Sequence, residues 1–241
     1  MSNGLTALTA RESEEHWVTI SDMMAGLMMI FLFISVAYMI HVISDRDEIR
    51  DIAITYQKMQ TELYNDLDKE FHDDLIQWNA ELDRATLSVR FREPDVLFEP
   101  ARVEVRSAFQ EILDDFFPRY IGILMSTKYI NDIEEVRIEG HTSSEWMGVA
   151  DKDIAYFKNM ELSQGRTRSV LQYVFSIPQI TKVVDVRSWL RKYLTANGLS
   201  SSKLRCYPDG LENRLESRRV EFRVRTKAEE RIFRIIEARR Q

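Results

Sequence analysis

Apolar residues along this chain change rhythm twice. Over 23–40 they run almost unbroken, MMAGLMMIFLFISVAYMI, without a charge or a proline. From 44 to about 84 they recur every three or four residues, at Ile52, Tyr56, Met59, Leu63, Leu67, Phe71, Leu75, Trp78 and Leu82. Beyond that point short alternating stretches interleave with helical ones. Each rhythm predicts a different kind of element.

The unbroken run, extended by 17–21 before it and 41–43 after it, exceeds the roughly 20 helical residues that cross about 30 Å of hydrocarbon. Trp17 and Tyr38 stand near its two ends, where amphipathic rings favour the interface. A cleaved signal needs a basic leader, a shorter apolar core and a small-residue cleavage site. Here Arg11 is accompanied by Glu12, Glu14 and Glu15, and no such site closes the run. The expectation is a retained transmembrane helix over 17–43. Arg46, Arg50 and Lys58 follow the span, against Arg11 before it, so positive-inside counting leans towards a cytoplasmic C-terminus.

Asp22 sits at the edge of the apolar run. An ionised Asp costs about 2.5–3.5 kcal/mol at the centre of a membrane helix and less near its edge. Two readings fit. Ser21-Asp22 can cap a helix that begins there, satisfying orphan amides at its positive end. Alternatively, Asp22 is a protonatable group facing a partner helix or a water path. Small residues Ala25, Gly26 and Ser35 permit close helix packing.

The stretch 44–86 holds neither Pro nor Gly and predicts a long amphipathic helix. Its mean apolar step exceeds 3.5, so a left-handed heptad seam is not kept. It fits a stalk that pairs with a second copy or packs on a globular domain. It also fits an ordinary first helix of that domain.

Downstream, 87–92 (LSVRFR), 96–98, 136–139, 204–207 and 219–225 (RVEFRVR) read as strands, with Gly140 stopping the third. Helices are predicted over 101–117, ended by Pro118, over 159–175, over 184–195 and over 228–240. The alternation predicts an α/β sandwich with helices on one sheet face.

The chain has 241 residues, a net charge of −6 and 30% charged residues, so one ordinary domain accompanies the apolar helix. The acidic balance argues against nucleic acid, which calls for a basic face. A single cysteine, Cys206, excludes an internal disulfide. No nucleophile, paired carboxylates or metal-ligand set stands at recognisable spacing, so neither enzyme, cofactor nor metal is expected, and His141 reads as a loop residue.

The stretch WVTISDMMAGLMMIFLF, from Trp17 onward, resembles the N-terminal helix of MotB-type stator subunits: a Trp, an Asp a few residues on, then a Met-, Ala- and Phe-rich run. The resemblance implies that Asp22 is the ion-carrying carboxylate. Glu12, Glu14 and Glu15 replace the family's basic, Gly-containing leader. Three further stretches resemble the OmpA-like cell-wall-binding domain: VRIEGHT at 136–142, NMELSQGRTRSV at 159–170 and NRLESRRVEFR at 213–223. In that family a loop Asp and a helix Arg bind the charged ends of diaminopimelate in the peptidoglycan stem. Arg166 matches the Arg, Asn159 and Leu162 its flanking positions, and Thr142 and Ser143 the loop. Ser143 stands where the family has Asp, with Glu145 and Asp151 the acids nearby. Arg218 and Arg219 read as strand-packing residues.

The resemblance implies an α+β chain with an N-terminal single transmembrane helix, an amphipathic helical stalk and a C-terminal OmpA-like α/β sandwich. Residues 1–16 would be a cytoplasmic tail, 17–43 the span in the bacterial inner membrane, 44–86 the linker and 87–241 a periplasmic peptidoglycan-binding domain. Two copies would stand inside a ring of larger multi-span MotA-like subunits, with protons carried by Asp22. The acidic N-terminus, the continuation ISVAYM and the GHT-Ser loop look closer to the ZorB subunits of Zorya anti-phage defence, whose multi-span partner is ZorA, than to flagellar MotB. A passive wall anchor without ion flow is the rival class.

Overall fold

The computed structural model describes residues 3–92 and 97–227. The chain divides into two compact units, Met1–Ile54 and Thr55–Gln241. Helix α1 (Asn3–Gln77) contributes to both.

In the first unit, the stretch Ser21–Ser44 of α1 is long and apolar enough to cross a membrane, with a mean hydropathy of 2.3. Met23, Leu27 and Phe31 are each more than 70% exposed, an apolar surface that calls for lipid or protein cover. At about 100° per residue, Asp22, Gly26, Met29 and Phe33 share one face, and Met24, Leu27, Phe31 and Tyr38 the opposite one. Since α1 begins at Asn3, Asp22 lies in a helix interior. The capping reading of Asp22 therefore falls, because an N-cap precedes the first turn.

The second unit is a five-stranded sheet covered by helices. Its first element is the remainder of α1, whose apolar stripe, Leu63, Leu67, Phe71 and Leu75, is buried in the unit's core. The helix expected through residue 86 ends at Gln77. Asn79 takes a left-handed conformation (φ 47°), which Asn tolerates better than most residues, and the chain turns back as β1 (Ala80–Asp83). Leu82 is thus a strand residue.

Strand β2 (Ser88–Phe91) pairs antiparallel with β1. Leu97 and Phe98 are buried, and Phe98 bridges to Val105, so the helix expected from 101 starts later, as α2 (Ser107–Leu124). Pro118 lies inside α2 instead of ending it. A mid-helix proline costs about 3 kcal/mol, but Phe116, Phe117, Tyr120, Ile121 and Leu124 on either side of it are all buried, and that packing carries the helix through. Phe116 is the hub, with ring centroids 5.2 Å from Phe222, 5.1 Å from Phe91 and 5.2 Å from Phe71.

Strand β3 (Ile133–His141) runs straight through Gly140. It is followed by α3 (Lys152–Val174), the short α4 (Pro178–Thr181) and α5 (Val184–Tyr193). The helix expected to continue to 195 stops at Tyr193, and Leu194–Gly198 is β4, parallel to β3. A parallel neighbour demands a long crossover, which α3 to α5 supply. The strand expected at 204–207 is a single bridge, Cys206 to Glu212. The turn α6 (Arg214–Ser217) leads into β5 (Arg219–Thr226), which lies between β2 and β3 in the order β1-β2-β5-β3-β4. The helix expected over 228–240 lies outside the described residues.

Along β5, Val220, Phe222 and Val224 belong to the core, while Arg219, Glu221, Arg223 and Arg225 alternate with them onto the other face. That second face is polar throughout, and its geometry bears on the site below.

Candidate functional site

The three stretches that resemble the OmpA-like domain meet at the C-terminal end of β3. Gly140 pairs with Gly198 there, and α3 lies over both. A Cβ on Gly140 would stand 2.7 Å from Thr167 Cγ2 and 3.0 Å from the Ser163 carbonyl oxygen. Both glycines thus serve close approach. Asp151 caps α3, its Oδ1 accepting from the backbone N–H of Asp153 (2.9 Å) and Ile154 (3.1 Å). That carboxylate holds the helix start.

Ser200 joins α3 to the loop. It is fully buried with φ 50°; its N–H donates to Ser163 Oγ (3.1 Å), its Oγ to the Tyr156 carbonyl (2.8 Å), and its carbonyl accepts from Thr142 N–H (2.9 Å). Sequence reading missed Ser200, because nothing local marks a serine held in a left-handed turn by partners at least 37 residues away.

Asn159, Leu162 and Arg166 recur at helical spacing on one side of α3. Asn159 is buried and donates from Nδ2 to the Glu145 carbonyl (3.2 Å), which pins the loop after Ser143. Thr142 is buried, and its Oγ1 has no hydrogen-bond partner among the described residues. Ser143 and Leu162 are half-buried. Arg166 is buried, donating from Nε to the Arg102 carbonyl (2.9 Å) and from Nη2 to the Glu99 carbonyl (3.1 Å), with its guanidinium 4.7 Å from the Phe98 ring centroid. It braces the turn before α2 and lines a cavity of about 10 Å³ with Phe98, Gly140, His141 and Ser163.

Ser143 brings no carboxylate to this loop, but the fold delivers one from elsewhere. Glu212 accepts from the backbone N–H of Ser144 (3.0 Å) and from its hydroxyl. Glu145 pairs with Arg214. The segment before β5 therefore sets a carboxylate beside Ser144, one residue from Ser143, across 68 residues of sequence.

No family model matches the chain. It is 49% identical over 226 residues to the Zorya protein ZorB of Escherichia coli strain Crooks, covering 94% of each. The chain belongs to the ZorB family. Among solved structures it is similar to a MotB-like protein from Desulfovibrio vulgaris, at 21% identity and a TM-score of 0.47, covering 70% of this chain and 96% of that one. It is also similar to the cell wall anchor of the T6SS from Pseudomonas aeruginosa, at 22% identity and a TM-score of 0.43, covering 66% and 96%.

In this ZorB-family chain the polar face of the sheet carries a buried ionic network beside the loop. Arg90 donates from Nε to Glu221 (2.9 Å) and from Nη2 to Asp83 (2.9 Å), and it pairs with Glu81. Arg219 donates from Nε to the same Glu221 oxygen (2.6 Å) and from Nη1 to the carbonyls of Ser217 (3.1 Å) and Lys203 (3.2 Å). Burial pushes the Glu221 carboxyl up, but Arg90 and Arg219 outweigh it and hold it at about 2. Burial pushes the His141 imidazole below its usual value. The sequence signal for this network was the charged residue at every second position of RVEFRVR.

Proposed function

We propose that this chain is the B-type subunit of an ion-driven rotary stator in Zorya anti-phage defence, carrying protons through Asp22 and holding the complex to peptidoglycan. The observation that carries the reading is the interior position of Asp22 in α1. An acid within an apolar helix, with no capping role, is costly unless it is used. Gly26, one turn on, leaves room on the same face for a partner helix.

Two copies stand inside a ring of ZorA-like multi-span subunits, with the N-terminus cytoplasmic and Thr55–Gln241 periplasmic. Protonation of Asp22 removes its charge and changes how the helix fits the ring. The membrane potential acts on each charge with about 2.3 kcal/mol per 100 mV, enough to bias a rotation step. At the wall, Thr142, Ser143, Asn159 and Leu162 shape the site, Arg166 supplies positive charge for a stem-peptide carboxylate, and Glu212 supplies the negative charge that Ser143 lacks.

The test is affinity purification of the tagged chain in mild detergent together with an Asp22→Asn variant. Recovery of a multi-span partner in excess over this chain, with defence abolished in Asp22→Asn, is the expected result. Full defence in Asp22→Asn would leave a passive anchor as the reading. Recovery of this chain alone would remove the stator.

A further inference from the structure

Glu139 lies directly opposite Glu221 across the β3–β5 ladder, and His141 directly opposite Arg219. The His141, Glu139 and Glu221 side chains are 3%, 6% and 6% exposed. His141 Nε2 stands 3.8 Å from Glu139 Oε2 and 3.8 Å from Glu221 Oε1. Neither ring nitrogen of His141 has a hydrogen-bond partner among the described residues. One ligand atom from each of the three residues lies within 4.8 Å of the other two.

Two features of this square are unfavourable as they stand. Like charges directly opposite on a ladder repel, the more so when buried. A buried imidazole with two idle nitrogens forgoes hydrogen bonds it would make in water. A cation between the three side chains removes the repulsion and gives Nε2 of His141 a partner. We propose that Glu139, His141 and Glu221 bind a divalent transition-metal ion of the Zn²⁺ class.

One imidazole and two carboxylates make a donor set that suits zinc. Zinc ligands at about 2.0–2.2 Å stand about 3.3–3.6 Å from one another in a tetrahedron, so modest side-chain rotations close the present 3.8 Å gaps. Water completes the fourth position. Calcium asks for six to eight oxygens, which this set does not supply.

Neighbouring charges tune the site. Arg90 and Arg219 fix the Glu221 carboxylate, and ligating carboxylates are commonly held by such hydrogen bonds. The same guanidiniums also repel the bound ion. Glu81 and Asp83 grip Arg90 from its other side and offset that repulsion. A bound ion ties β3 to β5 at the end where Thr142 and Ser143 leave the sheet, so its occupancy stiffens that loop.

The experiment uses the full chain in detergent, stripped with a chelator and dialysed against Zn²⁺. One Zn²⁺ per chain is expected to remain and to raise the melting temperature. Co²⁺ in its place is expected to give the visible absorption of a four-coordinate ion. Glu139→Gln and His141→Gln are each expected to weaken retention about tenfold or more, whereas His72→Gln, at an exposed pair with Asp68, leaves it intact. Circular dichroism establishes that each variant is folded, and the wild-type Co²⁺ spectrum reads the site without any substitution. Absence of stoichiometric retention in the wild type, or retention unchanged in both site variants, overturns the proposal. Stability that responds to pH but not to Zn²⁺ overturns it too, and makes His141 a proton site instead.

Discussion

Gly198 lies so close beneath α3 that a Cβ added to it would stand 2.3 Å from the backbone nitrogen of Gln164. Backbone cannot swing aside as a flexible side chain can. Gly198→Ala should therefore lift α3 and cost about 1–3 kcal/mol, the usual penalty of overpacking. Urea unfolding of the variant should show a lower midpoint at an unchanged slope. A midpoint equal to that of the parent would mean that α3 rides higher than described.

Arg166 spends two donors on the carbonyls of Glu99 and Arg102. Lysine keeps the charge but not the fork. Losing these bonds at a buried site should cost roughly 1–3 kcal/mol, lowering the melting temperature by several degrees. Sacculus binding should fall as well. A variant with unchanged melting but lost binding would show that the bracing role is minor.

Asp66 accepts from the Tyr129 hydroxyl at 2.6 Å and from Lys128 at 2.9 Å. The Tyr129 hydrogen bond, with Lys128 beside it, holds the Asp66 carboxyl below its usual value. The fold thus favours the ionised form. This contribution is present above about pH 4, the ordinary carboxylate value, and is lost as pH falls through the lowered one. Burial and the Asp66 charge push the Tyr129 phenol up to about 12. Its contribution is complete below about pH 10 and disappears as pH rises towards 12. Asp66→Asn should flatten the acid limb of a stability–pH profile and bring the Tyr129 ultraviolet titration to lower pH. An unchanged phenol titration would disprove the coupling.

Glu212 offers the carboxylate next to Ser144. Glu212→Gln should weaken sacculus binding by about tenfold, the loss of one charge-assisted contact. Adding Ser143→Asp to that variant should restore it, since the acid then returns through the loop. If Glu212→Gln binds like the parent, the ammonium end of the ligand is recognised elsewhere.

The segments whose core contacts follow a local period are legible in the amino-acid sequence alone. Leu63, Leu67, Phe71 and Leu75 form the buried stripe that their spacing announces, and β2, β5 and the body of α3 fall where alternation and helical spacing put them. The apolar run of α1 needs only its length. The order of the GHT, Asn159–Arg166 and arginine-rich motifs also points to the sheet domain.

Elsewhere, tertiary structure overrules local preference. LTANG is a poor strand on its own, yet it becomes β4 because β3 offers a free edge beside it. Pro118 continues a helix because its neighbours are buried on both sides. Gly140 extends a strand because α3 needs the missing Cβ. The capping reading of Asp22 is open in the local sequence and is removed only by a helix that already starts at Asn3. Glu212 beside Ser144, and Glu139 and His141 beside Glu221, are separated by 68 and about 80 residues of chain; a loop contact joins the first pair and strand pairing the second. Sequence by itself determined which residues are apolar, and with what period. The tertiary structure decided which charges face one another, because burial and strand register act between residues that share no local signal.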